Sequence, residues 1–264
     1  MSASDSGFFR RDGNALIASE LTRGPWHENF QHGGPVAALL GHAVERLLDT
    51  ECEFVARVRV EFLRPVPIAR LEPHARLVRD GSQVRTVEAE LMTAGKLVAR
   101  AWALAIRRRA LGITDAVVPG ALPTPESCPA LELPFFLHSV GYHTAMELKR
   151  ARGEYGNGAL AAWMRARHPL VEGEPPSPLQ RVLLAADSGN GVSARLDTRR
   201  HSFANPDLSV ALHRDAEGDW IGLDAETSVE PDGIGLADTQ LFDTRGPIGR
   251  VTQTLLVAEV ESLH

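Results

Sequence analysis

One hairpin occurs twice in this chain, and that repeat restricts the fold more than any other feature. The first copy reads Glu90-Leu91-Met92-Thr93-Ala94-Gly95-Lys96-Leu97-Val98-Ala99-Arg100. The second reads Gln240-Leu241-Phe242-Asp243-Thr244-Arg245-Gly246-Pro247-Ile248-Gly249-Arg250. Each is a strand, a Gly turn, an aliphatic pair, a small residue and an Arg. Two unrelated hairpins with ordinary turn chemistry would also look alike over so short a stretch. What precedes each copy decides for duplication of one larger unit.

Before the first copy, Val36, Leu39, Leu40, Ala43, Val44 and Leu47 recur at helical spacing. Pro35 suits the first turn of that helix, because its missing N–H would have no partner there. The period then changes to two. Val58, Val60 and Phe62 alternate with Arg57, Arg59 and Glu61, and Arg64-Pro65-Val66-Pro67 ends the strand. Residues 74–79, 83–92 and 96–106 read as three further strands, with turns at Asp80-Gly81 and Ala94-Gly95. Ahead of the helix, Asp12-Gly13-Asn14 marks a short hairpin.

The second half repeats this order. Residues 140–150 and 158–165 read as strands. Ser177 is a good N-cap and Pro178 a good first residue for a helix running on through Val182, Leu183, Leu184 and Ala186. Strands follow near 207–213, 220–228, 235–243 and 248–257. Between the halves, Pro119, Pro123, Pro125, Pro129 and Pro134 interrupt any period, as a linker would. The expected division is 1–110, a linker at 111–134, and 135–264.

A long helix followed by an antiparallel meander, twice on one chain, resembles the acyl-CoA thioesterases of the double hot-dog, TesB-like family. The resemblance covers the chain from about Phe8 to Val257. In the first half it rests on Phe30-Gln31-His32-Gly33-Gly34-Pro35 and on Val58 to Val66. In the second it rests on Pro178 to Asp187, Asn205-Pro206-Asp207-Leu208-Ser209, and Gly249-Arg250-Val251-Thr252-Gln253. It implies an α+β fold with two antiparallel sheets, each wrapped around a long central helix. It also implies hydrolysis of an acyl-CoA by a water that polar side chains activate, with no covalent intermediate and no cofactor.

The implied set is a helix Asp, a strand hydroxyl or amide, and a Gln on the last strand. Asp187 matches the first. It ends the apolar run Val182-Leu183-Leu184-Ala185-Ala186, where a carboxylate is costly without partners and acquires a raised pKa. Its plain alternative is a capping Asp before Ser188-Gly189. Gln253 matches the last. Val251, Gln253, Leu255 and Val257 share one face of the strand, so the amide points with the apolar residues. The corresponding place in the first half, near Trp102 or Ala103, has no amide, so the catalytic groups are expected in the C-terminal half alone. Asn205 stands where the family carries a hydroxyl, and Asp207 or Ser209 could be the third member instead. His32, Gly33 and Gly34 let backbone approach a ligand and are expected to wall the substrate.

Other chemistry finds little support. The net charge of -6 argues against a nucleic-acid face. There is no GxSxG elbow, P-loop or GxGxxG motif. His42 and Glu45 lie three apart on a helix, but no third ligand is placed by motif, so no metal site is expected. Met1 to Arg11 holds no apolar leader core, and no run approaches a membrane span. With only two cysteines, far apart in sequence, the cytoplasm is the expected location. Acyl-CoA is the expected partner, and a homo-oligomer is compatible with the fold.

Overall fold

The computed structural model describes residues 7–113 and 120–259. Residues 1–6, which open the segment read for a leader, and 114–119 of the expected linker lie outside the described residues.

In chain order the first half holds β1 (Phe9–Asp12), β2 (Ala15–Ala18), α1 (Gly33–Glu45), β3 (Glu53–Phe62), β4 (Arg70–Asp80), β5 (Val84–Thr93) and β6 (Lys96–Arg107). The second holds α2 (Tyr142–Ala145), β7 (Met146–Gly153), β8 (Ala159–Ala166), α3 (Pro178–Ala186), α4 (Gly189–Val192), β9 (His201–Ala204), β10 (Asp207–Leu212), β11 (Ile221–Val229), β12 (Ile234–Asp243) and β13 (Gly246–Glu259).

The strands form one antiparallel sheet in the order β1-β2-β4-β5-β6-β3-β10-β13-β12-β11-β8-β7, with β9 beside β13. This order is a palindrome: each strand of the first half has its counterpart at the mirrored place in the second. The repeated hairpins even share a defect. The ladder slips between Leu91 and Met92 in one, and between Leu241 and Phe242 in the other. A bulge retained at equivalent places is a designed feature of a strand pair, which supports duplication.

The structure corrects the expectation of two separate sheets. β3 and β10 pair antiparallel along Glu61↔Asp207 to Arg57↔Ala211, joining the halves. Left apart, each strand would expose an edge of unpaired N–H and C=O groups, and the seam satisfies both. The helices also differ in length. α1 has 13 residues, whereas α3 has 9 and is interrupted at Asp187-Ser188 before α4.

Local chemistry explains both helices. Ser177 Oγ accepts the Gln180 N–H at 3.1 Å, and Pro178 occupies the first turn of α3. In α1, Val36, Leu39, Leu40 and Val44 are at most 1% exposed, so the helix is buried nearly all round. It lies on β4, β5 and β6 and crosses α3 at Gly41. A Cβ at Gly41 would meet Leu183 Cδ1, so glycine lets the two helices approach without moving that side chain.

Two segments depart from the sequence reading. Residues 142–145 form a helical turn where a strand was expected; Gly141 N–H donates to Thr144 Oγ1 and closes it. Residues 120–134 do not hang free. Trp163 Nε1 donates to Pro123 O at 2.7 Å, and Leu131 N–H to Leu148 O at 3.0 Å, which lays this segment along β7 and β8.

Candidate active site

The site lies where the C-terminal end of α3 meets the N-terminal end of α1. Asp187 caps α3 and is only 4% exposed. A carboxylate there needs donors, and it has them. Its Oδ1 accepts from Asn205 Nδ2 at 2.7 Å and from Gln253 Nε2 at 3.3 Å. Burial dominates the balance and raises its pKa to about 7. Hydrogen bonds from Asn205, from the backbone of Gly33 and Gly34, and from Gln253 pull the other way.

Gln253 is fully buried on the core face of β13, as the alternation predicts. Its Oε1 accepts the Asn190 N–H at 3.0 Å, and its Nε2 donates to Asp187 O at 3.0 Å. The amide is therefore held at both ends, with its NH2 turned toward Asp187. Asn205 opens the loop between β9 and β10. Its Nδ2 also donates to Asp207 O at 3.1 Å, which fixes the rotamer. Neither alternative to Asn205 reaches the carboxylate: Asp207 Oδ1 accepts the Thr254 N–H, and Ser209 sits in the ladder between Thr252 and Arg59.

His32 is the N-cap of α1, and its Nδ1 accepts the Gly34 N–H at 3.0 Å. The same nitrogen lies 3.2 Å from Asp187 Oδ2. Burial lowers the His32 pKa to about 3, so the imidazole is neutral at ordinary pH. Gly33 is needed for contact: a Cβ there would lie 2.5 Å from Asp187 Oδ2 and 2.8 Å from Phe62 Cζ. So the six candidate residues gather here, and His32-Gly33-Gly34, expected to wall a substrate, touch the carboxylate.

The sequence reading missed the aromatic wall. Tyr142 stacks flat on His32, with centroids 3.9 Å apart. Its hydroxyl donates to Leu184 O at 2.6 Å and pairs with Ser188 Oγ at 2.9 Å. Phe136 extends the stack, and Phe135, Trp26 and Phe203 continue it. Phe135 and Phe136 lie beside the proline-rich segment, and Tyr142 lies in a stretch read as strand, so no local pattern marked them.

Comparison with known proteins bears on the fold and the family. A putative thioesterase from Novosphingobium aromaticivorans is 20% identical, with TM-score 0.74 over 94% of this chain and 98% of that one. A protein from Alicyclobacillus acidocaldarius described as having the hot dog fold is 19% identical, with TM-score 0.72 over 95% of each chain. An acyl-CoA thioesterase II from Mycobacterium marinum is 18% identical, with TM-score 0.69 over 95% of each. These likenesses establish the hot-dog fold. A search of curated protein sequences found no significant match. The family described as acyl-CoA thioesterase N-terminal domain matches residues 22–106, and the one described as acyl-CoA thioesterase C-terminal domain matches residues 120–257. The chain belongs to the acyl-CoA thioesterase family.

Proposed function

We propose that the chain hydrolyses an acyl-CoA to the free acid and CoA, with Asp187 as general base and Asn205 and Gln253 as its positioning partners. One observation carries this reading: a buried carboxylate, poised at about 7, accepts hydrogen bonds from two amides on different strands and loops. A base with that pKa can take a proton near neutral pH and return it. Water adds through oxygen to the thioester carbonyl carbon, and its proton passes to Asp187. The C–S bond then breaks, and the departing sulfur takes the proton back. The positive end of α1, at Gly33 and Gly34, favours the negative charge that develops on the carbonyl oxygen.

The division of labour is part of the proposal. Residues 135–264 supply the chemistry, 111–134 connect the halves, and 1–110 act as a non-catalytic partner that lends His32 and the α1 terminus. The seam supports this, because the site needs α1 from one half and α3 from the other.

The test is turnover of a panel of acyl-CoAs of varied chain length, followed by thiol release. Asp187→Asn should lower kcat by about 10²–10⁴. Unchanged turnover in that variant would overturn the assignment. Saturable acyl-CoA binding by the wild type without turnover of any substrate would make the protein an acyl-CoA binder instead.

A further inference from the structure

From β3 onward the strands of the first half stand 150 positions before their counterparts, as Glu90 stands to Gln240. The same offset relates Arg59 to Ser209, and those two face each other across the β3–β10 seam. The molecule's pseudo-twofold axis therefore passes through that pair, and the candidate active site has a mirror place at the other end of the two helices.

That place is a cavity of about 140 Å³. It lies between the C-terminal end of α1, at Glu45, and the N-terminal end of α3, at Ser177 and Pro178. Glu45 is the last residue of α1, as Ala186, the neighbour of Asp187, is of α3. It accepts from Gln180 Nε2 at 2.8 Å and from Ser177, much as Asp187 accepts from the opposite helix end. The water-holding amides are gone. By the offset, Val55 replaces Asn205 and Ala103 replaces Gln253, and Val55 lines the cavity. Phe54, Leu179, Val182 and Leu212 complete an apolar wall.

The charges decide what such a cavity takes. Asp215 is held by Arg108 at 2.6 Å, and Glu53 by Arg85 at 3.0 Å. Glu45 enters none of the ion pairs among the described residues; its partners are neutral. Burial and the nearby Asp215 raise its pKa. A half-buried carboxylate without a cation is costly, and an incoming cation relieves that cost. A cavity of about 150 Å³ holds a ligand the size of benzene.

We propose that this cavity is a second, non-hydrolytic site that binds a small primary ammonium with a short apolar tail, its charge on Glu45 and its tail against Phe54, Leu179 and Val182. The guanidinium of Arg108 does not compete, because Asp215 holds it and its plane covers the Phe54 ring.

The experiment is calorimetric titration of the full chain with n-butylamine, n-butanol and butyrate, three probes of one size and different charge. Butylammonium should bind at a single site, and butanol and butyrate should not. Glu45→Gln should weaken binding at least about tenfold, the loss of one charge-assisted contact. Thr50→Trp, an exposed change at the rim, should block the cavity with Glu45 intact. Asp187→Asn should bind as the wild type does, which separates this site from the active site. No saturable butylammonium binding, equal binding of butanol or butyrate, or undiminished binding in both Glu45→Gln and Thr50→Trp would overturn the proposal.

Discussion

His32 Nδ1 lies 3.2 Å from Asp187 Oδ2, and it also accepts the Gly34 N–H. A neutral imidazole already accepting at Nδ1 offers no proton there. Burial raises the carboxyl pKa to about 7, against the four hydrogen bonds that favour the ionised form.

The first consequence is a pH profile. Asp187 must be ionised to accept a proton from water, and its pKa is raised to about 7. Below that value kcat/KM should fall about tenfold per pH unit, and above it the rate should level off. Steady-state kinetics between pH 5 and 9 check this. A profile flat through 7 would remove Asp187 as the base.

Stability should carry a hidden pair of opposite slopes. Asp187 titrates at about 7 when folded and 3.8 when unfolded; His32 titrates at about 3 when folded and 6.5 when unfolded. Between pH 4 and 6.5 the folded pair holds one proton, on Asp187, and the unfolded pair holds one, on His32. The two dependences cancel. In Asp187→Asn only His32 remains, the unfolded chain binds more protons, and stability should rise with pH. In His32→Asn, which keeps a capping side chain, the folded chain binds more, and stability should fall as pH rises. Each limiting slope is about 1.4 kcal/mol per pH unit. Urea unfolding at several pH values measures both, and slopes of the same sign would contradict the assignment.

Gly33 should be intolerant of a methyl group. The added Cβ would meet Asp187 Oδ2 at 2.5 Å and the Phe62 ring at 2.8 Å. Gly33→Ala must push one of them away, at about 1–3 kcal/mol of stability. Displacing the base by a fraction of an ångström should lower kcat/KM by up to about 10². A variant that loses stability but keeps its full rate would show that Phe62, not Asp187, gives way.

Much of this was readable in the chain itself. β3 and β13 follow from alternation of Val58-Val60 and of Val251-Gln253-Leu255, because a half-buried strand must sort its faces. The start of α3 follows from Ser177-Pro178. The seam was not readable, because β3 and β10 meet at long sequence distance and edge pairing has no local signature. β9 is four residues long and too short for a period. Asp187, Asn205 and Gln253 were singled out as candidates through resemblance, and Gln253 also through the face it shares with apolar neighbours. Tyr142 was invisible: its stacking on His32 depends on the turn at Gly141, inside a segment whose pattern suggested a strand.

Asn205 offers the sharpest separation of roles. Its Nδ2 donates to Asp187 Oδ1 at 2.7 Å and lowers the carboxyl pKa. Asn205→Ala removes the donor, so the midpoint of the pH–rate profile should move upward and the rate at pH 7 should fall. Asn205→Asp is nearly isosteric but puts a second carboxylate at the same distance. Two like charges so close cannot both ionise cheaply, so the midpoint should move further up than in Asn205→Ala. The expected order of activity at pH 7 is wild type, then Asn205→Ala, then Asn205→Asp, with the differences narrowing as pH rises. Equal midpoints in all three would mean that Asn205 acts only on the loop around Pro206, and that Asp187 is tuned by Gln253 and the α1 terminus alone.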